Sequence, residues 1–171
     1  MIKKRLILFF VFYFLILLQT SFLVYFRIDG QVPNLVLVFL FLIIFFTAST
    51  RDEAKQPFLE NFWALVFAGF FIDLYSDYPI GVSITFLFLA ALLTEKILMN
   101  LKEPNIFVFL ILCLIFQCFY YFCFCVLDYF LRESAFFLFD RFFLVQIIYN
   151  LFFSLFGFYL FRIFKKRKSF I

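Results

Sequence analysis

The sequence predicts an all-α integral membrane protein, built as a bundle of six transmembrane helices. Hydrophobic residues make up 67% of the 171 residues, whereas about half is usual in a globular domain. Charged residues make up 15%, too little to cover a soluble fold of this size with polar surface. The composition therefore excludes an ordinary soluble domain, a disordered chain, a coiled coil, a secreted disulfide scaffold and a nucleic-acid-binding domain.

Six apolar runs carry the prediction of transmembrane helices. A helix that crosses a bilayer needs about 20 mostly apolar residues, and strands of a membrane barrel would alternate in polarity, which these runs do not. A single transmembrane domain over 1–171 is predicted, with spans at residues 6–26, 32–48, 62–75, 81–98, 107–127 and 142–161. The second and third runs are short, so a re-entrant pair, which would leave four spans, is the alternative.

The ends of the runs agree with this division. The basic residues Lys3, Lys4 and Arg5 before the first run resemble the start of a signal peptide. No small-residue cleavage site follows the run, so we expect it to stay as an uncleaved first helix. Pro33 opens the second run, where its missing amide costs least. Pro79 and Gly81 precede the fourth.

The distribution of positive charge predicts the orientation of the bundle. If both termini are cytoplasmic, twelve of the 15 Lys and Arg residues lie at the inner side, and only Arg27, Arg132 and Arg141 lie outside. Cytoplasmic segments of membrane proteins carry such an excess. The basic residues of 162–168 suit either the anionic lipids of the cytoplasmic leaflet or a cytoplasmic partner.

Polar residues recur on one face of the sixth helix. Gln146, Asn150 and Ser154 are spaced by four residues, which places them one above the other on a helix. Small and amide-bearing residues let helices approach and hydrogen-bond in lipid. Packing inside the bundle is the simpler interpretation, and a polar cavity or a groove for a partner helix is the alternative. Similar faces are predicted in the fourth and fifth helices, at Ser83, Ala90, Ala91, Thr94, Cys113, Gln117 and Tyr121.

Asp73, near the outer end of the third helix, is the acid that most needs an explanation. A carboxylate at that depth must be neutral, paired or able to reach the interface. It could cap a neighbouring helix start, for example at Gly81, because the unpaired amides there attract an anion. The alternative is direct contact with a partner or a substrate.

No enzymatic site is predicted. A catalytic pair of Asp73 and Asp77 is disfavoured because two such acids must meet across a water-filled site. The chain has no histidine and none of the motifs of phosphate loops or nucleophile elbows. Its four cysteines are spaced irregularly for zinc. We therefore expect no catalysis, no metal and no cofactor.

Three local signatures resemble the rod shape-determining protein MreD family. They are Gln19 to Ser21 at the outer end of the first helix, Pro33-Asn34-Leu35 at the second, and Gly69 to Asp73 followed by Pro79-x-Gly81. The resemblance covers most of residues 6–98, and the C-terminal half matches only in hydropathy and length. Asn34 departs from the family, which more often has Asp there. The 36 phenylalanines look like bulk substitution at lipid-facing positions.

The resemblance implies a non-catalytic, multi-pass protein of the bacterial inner membrane within the cell-elongation machinery. Family members pair with MreC, a single-span protein, and work beside the actin homologue MreB. The complex regulates the RodA glycosyltransferase and a class B penicillin-binding protein, and hence peptidoglycan synthesis and cell shape. The implied fold is similar to the substrate-binding subunits of energy-coupling factor transporters.

A vitamin transporter subunit of that energy-coupling factor type is the alternative function. Such subunits dock their partner through small residues, typically alanines, spaced by four in the first helix. Residues 6–26 contain neither alanine nor glycine. The sequence therefore favours the elongation complex over the transporter.

Overall fold

The computed structural model describes residues 2–49, 57–76, 78–100, 105–132 and 141–168. These residues form six α-helices: α1 (Ile2–Leu17), α2 (Leu35–Ser49), α3 (Pro57–Leu74), α4 (Val82–Met99), α5 (Ile106–Arg132) and α6 (Arg141–Lys168). Four helical stretches are long and apolar enough to cross a membrane: Lys3–Phe26, Val82–Met99, Ile106–Phe130 and Phe143–Ile163. The chain is thus an all-α, multi-pass membrane protein.

The helix α2 forms the centre of the bundle. It packs against all five other helices, and Val36, Leu37, Leu40 and Ile44 are fully buried. Its 15 residues span about 22 Å at 1.5 Å per residue, less than the roughly 30 Å of a bilayer's hydrocarbon core. A short helix enclosed by protein must find partners for its terminal N–H groups among neighbouring side chains.

Phenylalanine fills the core as well as the outer surface. The largest fully buried side chains are Phe12, Phe41, Phe45, Phe109 and Phe116. The ring of Phe109 lies 5.0 Å from that of Phe45 and 4.7 Å from that of Phe158, centroid to centroid, within the range in which aromatic pairs attract each other. The expectation that the phenylalanines are bulk at lipid-facing positions is therefore wrong for this central group.

The first predicted span, residues 6–26, is not one continuous α-helix. The α-helix ends at Leu17, a π-helical turn covers Leu18–Phe22, and a 3-10 turn covers Leu23–Phe26. The hydroxyl of Thr20 donates to the carbonyl of Ile16 at 2.9 Å, and such side-chain bonds compete with the regular backbone ladder. A π-helical turn also changes the direction in which the following side chains point.

The start of α2 lies three residues later than predicted. Pro33 and Asn34 precede the helix, and the side chain of Asn34 accepts a hydrogen bond from the N–H of Leu37 at 3.0 Å. This is the geometry of an N-cap, so the helix begins immediately after Asn34. The connection from α1 turns at Asp29 and Gly30, which both have positive φ, between the paired backbones of Ile28 and Gln31.

Each end of the remaining helices lies within one residue of the predicted span or extends beyond it. The helix α3 begins at Pro57 rather than residue 62, and α5 and α6 continue to Arg132 and Lys168. Charged residues such as Lys and Arg favour helix nearly as well as apolar residues do. Helices therefore run past the apolar segment that a hydropathy pattern detects.

Helices α3 and α4 approach each other closely at Gly69. A Cβ atom at this position would lie 2.6 Å from the Cα of Ile84, closer than any side chain tolerates. Small residues at helix crossings of membrane proteins permit such backbone contact. Gly69, one of the signature residues, is therefore the contact point of this pair.

Candidate functional site

The buried start of α2 is held by side chains from two other helices. The N–H of Leu35 donates to Oε1 of Gln19 at 3.1 Å, and the N–H of Asn34 donates to Oδ1 of Asn150 at 2.7 Å. The amide of Gln146 in turn donates to the carbonyl of Val32 at 2.8 Å. We call this group, Gln19, Val32, Asn34, Leu35, Gln146 and Asn150, the α2 joint. It supplies the partners that the first N–H groups of a buried helix require.

The start of α4 is held by Asp73. One carboxylate oxygen accepts a hydrogen bond from the N–H of Gly81 at 2.6 Å, and the other accepts from the N–H of Ser83 at 2.9 Å. The hydroxyl of Tyr120 in α5 donates to that of Ser83 at 3.3 Å. We call Asp73, Gly81, Ser83 and Tyr120 the α4 joint. This is the capping arrangement that the sequence suggested for Asp73, in which the helix start stabilises the anion.

Gly81 meets a conformational requirement of the α4 joint. Its φ of 109° lies in the left-handed region, which residues with a Cβ adopt only at a cost. This conformation lets the N–H groups of both Gly81 and Ser83 face Asp73, which is only 2% exposed. Pro79 lies exposed before this turn, and its carbonyl accepts from the N–H of Val82.

The polar faces of α5 and α6 lie against each other inside the bundle. The thiol of Cys113 donates to the hydroxyl of Ser154 at 3.2 Å, and the amide of Gln117 donates to the sulfur of Cys113 at 3.1 Å. The hydroxyl of Tyr121 faces the side chains of Gln146 and Asn150. We call these six residues, Cys113, Gln117, Tyr121, Gln146, Asn150 and Ser154, the α5–α6 ladder. The structure thus brings the predicted polar stripe of α6 onto that of α5.

Most of the predicted site residues belong to these groups, which lie toward one end of the bundle. Gln19, Asn34, Gln146 and Asn150 belong to the α2 joint, and Asp73 and Gly81 belong to the α4 joint. Pro33 is buried just before α2, whereas Ser21 is exposed in the π-helical turn and takes no part. Asp77 lies outside the described residues.

The opposite end of the bundle holds a buried acid that the sequence reasoning missed. Glu95 of α4 is 5% exposed, and one of its oxygens accepts a hydrogen bond from the amide of Asn61 in α3 at 3.3 Å. Its position within the apolar run 81–98 was the signal that could have identified it. Nearby at the same end, the guanidinium of Arg5 lies 4.5 Å from the ring centre of Trp63, a cation–π contact.

Glu95 and Asp73 are too far apart to act together. Twelve residues of α4 separate Glu95 from Ser83, which Asp73 contacts, and this corresponds to about 18 Å along a helix. Two carboxyl groups that share a catalytic proton must instead lie close enough to interact. The buried acids of the described residues therefore do not form a catalytic pair.

The cysteines have no metal-binding arrangement in the described part of the chain. That part contains no group of three or more His, Cys, Asp or Glu side chains able to hold a metal ion. Cys113 takes part in the α5–α6 ladder instead. Cys123 lines an apolar groove of about 270 Å³ between α4 and α5, together with Phe86, Phe122, Val126, Leu127 and Phe130.

The comparisons with known proteins add no relative. The chain matches no protein-family model, no curated protein and no solved structure.

Proposed function

We propose that this chain is a non-catalytic, MreD-type component of the bacterial cell-elongation complex. It lies in the inner membrane with six spans and both termini in the cytoplasm, and its fold is similar to that of energy-coupling factor substrate-binding subunits. It binds an MreC-like single-span protein and, through the complex, acts with MreB, RodA and a class B penicillin-binding protein on peptidoglycan synthesis. The function is that of a membrane scaffold.

One observation supports this proposal most directly: the three sequence signatures coincide with the two capped helix starts. Gln19 of the first signature bonds to Leu35 of the second at 3.1 Å. Asp73 and Gly81 of the third bond to each other at 2.6 Å. Members of one family share a fold, and residues that contact each other to maintain that fold are shared with it. Signatures that matched by chance would not be expected to contact each other.

The chemistry of the joints supports a scaffold rather than an enzyme. Apart from Asp73, the α2 and α4 joints present amides, hydroxyls and backbone groups, which bind and orient but do not accept protons at neutral pH. Asp73 uses both carboxylate oxygens to accept hydrogen bonds from backbone N–H groups. Its role is therefore to hold α4 in position.

The outer face of α1 disfavours the transporter alternative. The side chains that α1 exposes include Leu6, Ile7, Phe10, Tyr13 and Phe14. These bulky residues keep a neighbouring helix at a distance, whereas close docking of helices in membranes relies on small residues. An energy-coupling module that docks through small residues would not fit this face.

Depletion and co-purification in the source bacterium test the proposal together. We expect cells depleted of the protein to lose their rod shape and become round while vitamin uptake continues. The protein should co-purify in detergent with a single-span MreC-like protein. Complementation with Asp73→Ala should restore cell width less well than complementation with Asp77→Ala. Stable association with an ATP-driven energy-coupling module, or a vitamin retained through purification, would favour the transporter instead.

A further inference from the structure

The α5–α6 ladder has a register in which three pairs of polar residues face each other. The hydrogen bond between Cys113 and Ser154 sets one pair. Because α5 and α6 run in opposite directions, a step of four residues along each brings Gln117 opposite Asn150. A second step brings Tyr121 opposite Gln146, and the hydroxyl of Tyr121 contacts the side chains of both Gln146 and Asn150.

The middle pair of the ladder contains two buried amide atoms without a hydrogen bond. These are the Oε1 atom of Gln117 and the Nδ2 atom of Asn150, in side chains that are 2% and 0% exposed. The other end of each amide is engaged, because Nε2 of Gln117 donates to Cys113 and Oδ1 of Asn150 accepts from Asn34. These bonds determine which way each amide points.

The two atoms are complementary in chemistry. Oε1 of Gln117 is an acceptor, and Nδ2 of Asn150 is a donor. A buried polar atom without a partner is unfavourable, and in an apolar surrounding it is more so. A molecule bound at this position must therefore donate a hydrogen bond to Gln117 and accept one from Asn150. It must be neutral because the ladder residues are uncharged.

We propose that a single water molecule is bound between Gln117 and Asn150 in the interior of the bundle. It donates to Oε1 of Gln117 and accepts from Nδ2 of Asn150, and the hydroxyl of Tyr121 is its third polar neighbour. Buried waters in proteins typically make about three such bonds to groups that would otherwise be unsatisfied. The water connects α5 through Asn150 to Asn34, and so to the start of α2.

Hydroxyl-radical footprinting of the full-length protein in detergent tests this site. Radiolysis of a bound water oxidises the side chains beside it, even where bulk solvent does not reach. Cys113, which is 1% exposed, is the reporter, and Phe109, one turn away and 0% exposed, is the dry control. Each rate is divided by that of the same residue in the denatured chain, which removes differences in intrinsic reactivity.

We expect the normalised rate of Cys113 to exceed that of Phe109 several-fold. Gln117→Met, which keeps the volume and removes the acceptor, should lower the rate of Cys113 to the Phe109 level. Ile115→Met, at a position 40% exposed on the same helix, should leave the rate of Cys113 unchanged. A rate at Cys113 no higher than at Phe109 in the unaltered protein would overturn the proposal, as would an unchanged rate in Gln117→Met.

A high-resolution experimental structure gives a second test that needs no variant. A density peak about 3 Å from both Oε1 of Gln117 and Nδ2 of Asn150 would establish the water at hydrogen-bonding distance. A direct hydrogen bond between the two amides, with no peak between them, would overturn the proposal.

Discussion

Oδ1 of Asn150 accepts a hydrogen bond from the backbone N–H of Asn34 at 2.7 Å, although the two residues are 116 positions apart in the sequence. The bond joins the last helix of the bundle to the central one. The same asparagine belongs to the α5–α6 ladder, so one buried side chain connects three helices. Removal of the Asn150 side chain would leave the N–H of Asn34 without a partner inside an apolar bundle.

Asn150→Leu should therefore destabilise the protein. Leaving a buried backbone donor unpaired costs roughly 1–3 kcal/mol, and we expect the free energy of unfolding to fall by about that amount. The measurement is reversible unfolding in mixed micelles. Ile148→Leu is the control, because Ile148 is 67% exposed on the same helix and its replacement is conservative. Equal stability of the two variants would contradict the bracing role of Asn150.

Asp73→Ala should lower stability and the amount of protein in the membrane. The change removes the acceptor for two N–H groups at the start of α4, those of Gly81 and Ser83. Each unpaired group costs roughly 1–3 kcal/mol when it stays buried. Thermal unfolding in detergent and the level of protein in the membrane fraction report the effect.

Two other variants serve as comparisons for the effect of Asp73→Ala. Asp73→Asn keeps one acceptor oxygen and should be intermediate. Asp77→Ala is the neighbouring acid control, and we expect it to leave both readouts near those of the unaltered protein. If Asp73→Ala and Asp77→Ala had the same negligible effect, Asp73 would not be a structural cap.

Gly69→Ala should separate helices α3 and α4. The added methyl group would lie 2.6 Å from the backbone of Ile84, which cannot move without the helix. Overpacking typically costs about 1–3 kcal/mol. We expect the thermal midpoint to fall by several degrees in a detergent melt followed by circular dichroism.

Gly157→Ala provides a matched control for Gly69. Its added methyl group would meet the end of the Leu42 side chain, and a side-chain end can rotate away more cheaply than a backbone. Gly157→Ala should therefore be the milder of the two substitutions. A larger loss of stability in Gly157→Ala would show that the close contact of α3 and α4 at Gly69 is adaptable.

Single cysteines placed in a cysteine-free background should report the proposed topology. A cysteine at Ile28, which is 50% exposed, should react with a membrane-impermeant thiol reagent added outside the cells. A cysteine at position 55 should react only after the membrane is permeabilised, because the excess of Lys and Arg places residues 49–61 and 99–105 inside. Residues 76–80 and 128–141 should label from outside. Labelling of position 55 from outside in intact cells would contradict the six-span topology.

Local features of the sequence were sufficient for the class of fold. The length and composition of each apolar run are properties of a short segment, and all six runs correspond to helices. The spacing of Gln146, Asn150 and Ser154 predicts a common face, because a helix repeats every 3.6 residues, and all three side chains are buried in the structure. The predicted ends of the helices were less accurate. They depend on capping by Asn34 and on the hydrogen bonds of Thr20, which a hydropathy pattern does not detect.

Only the tertiary structure decided which polar groups meet and which apolar groups form the core. The pairing of Asn34 with Asn150 and of Gln19 with Leu35 depends on how distant helices pack, and no local pattern records it. Glu95 is buried, and the partner that donates a hydrogen bond to it, Asn61, lies on another helix. Hydropathy cannot separate the buried Phe109 from the exposed Phe107, because a membrane protein is apolar on the lipid side as well as in its interior. The sequence by itself thus determined that the chain forms apolar helices with a few polar faces, and packing decided which faces are joined.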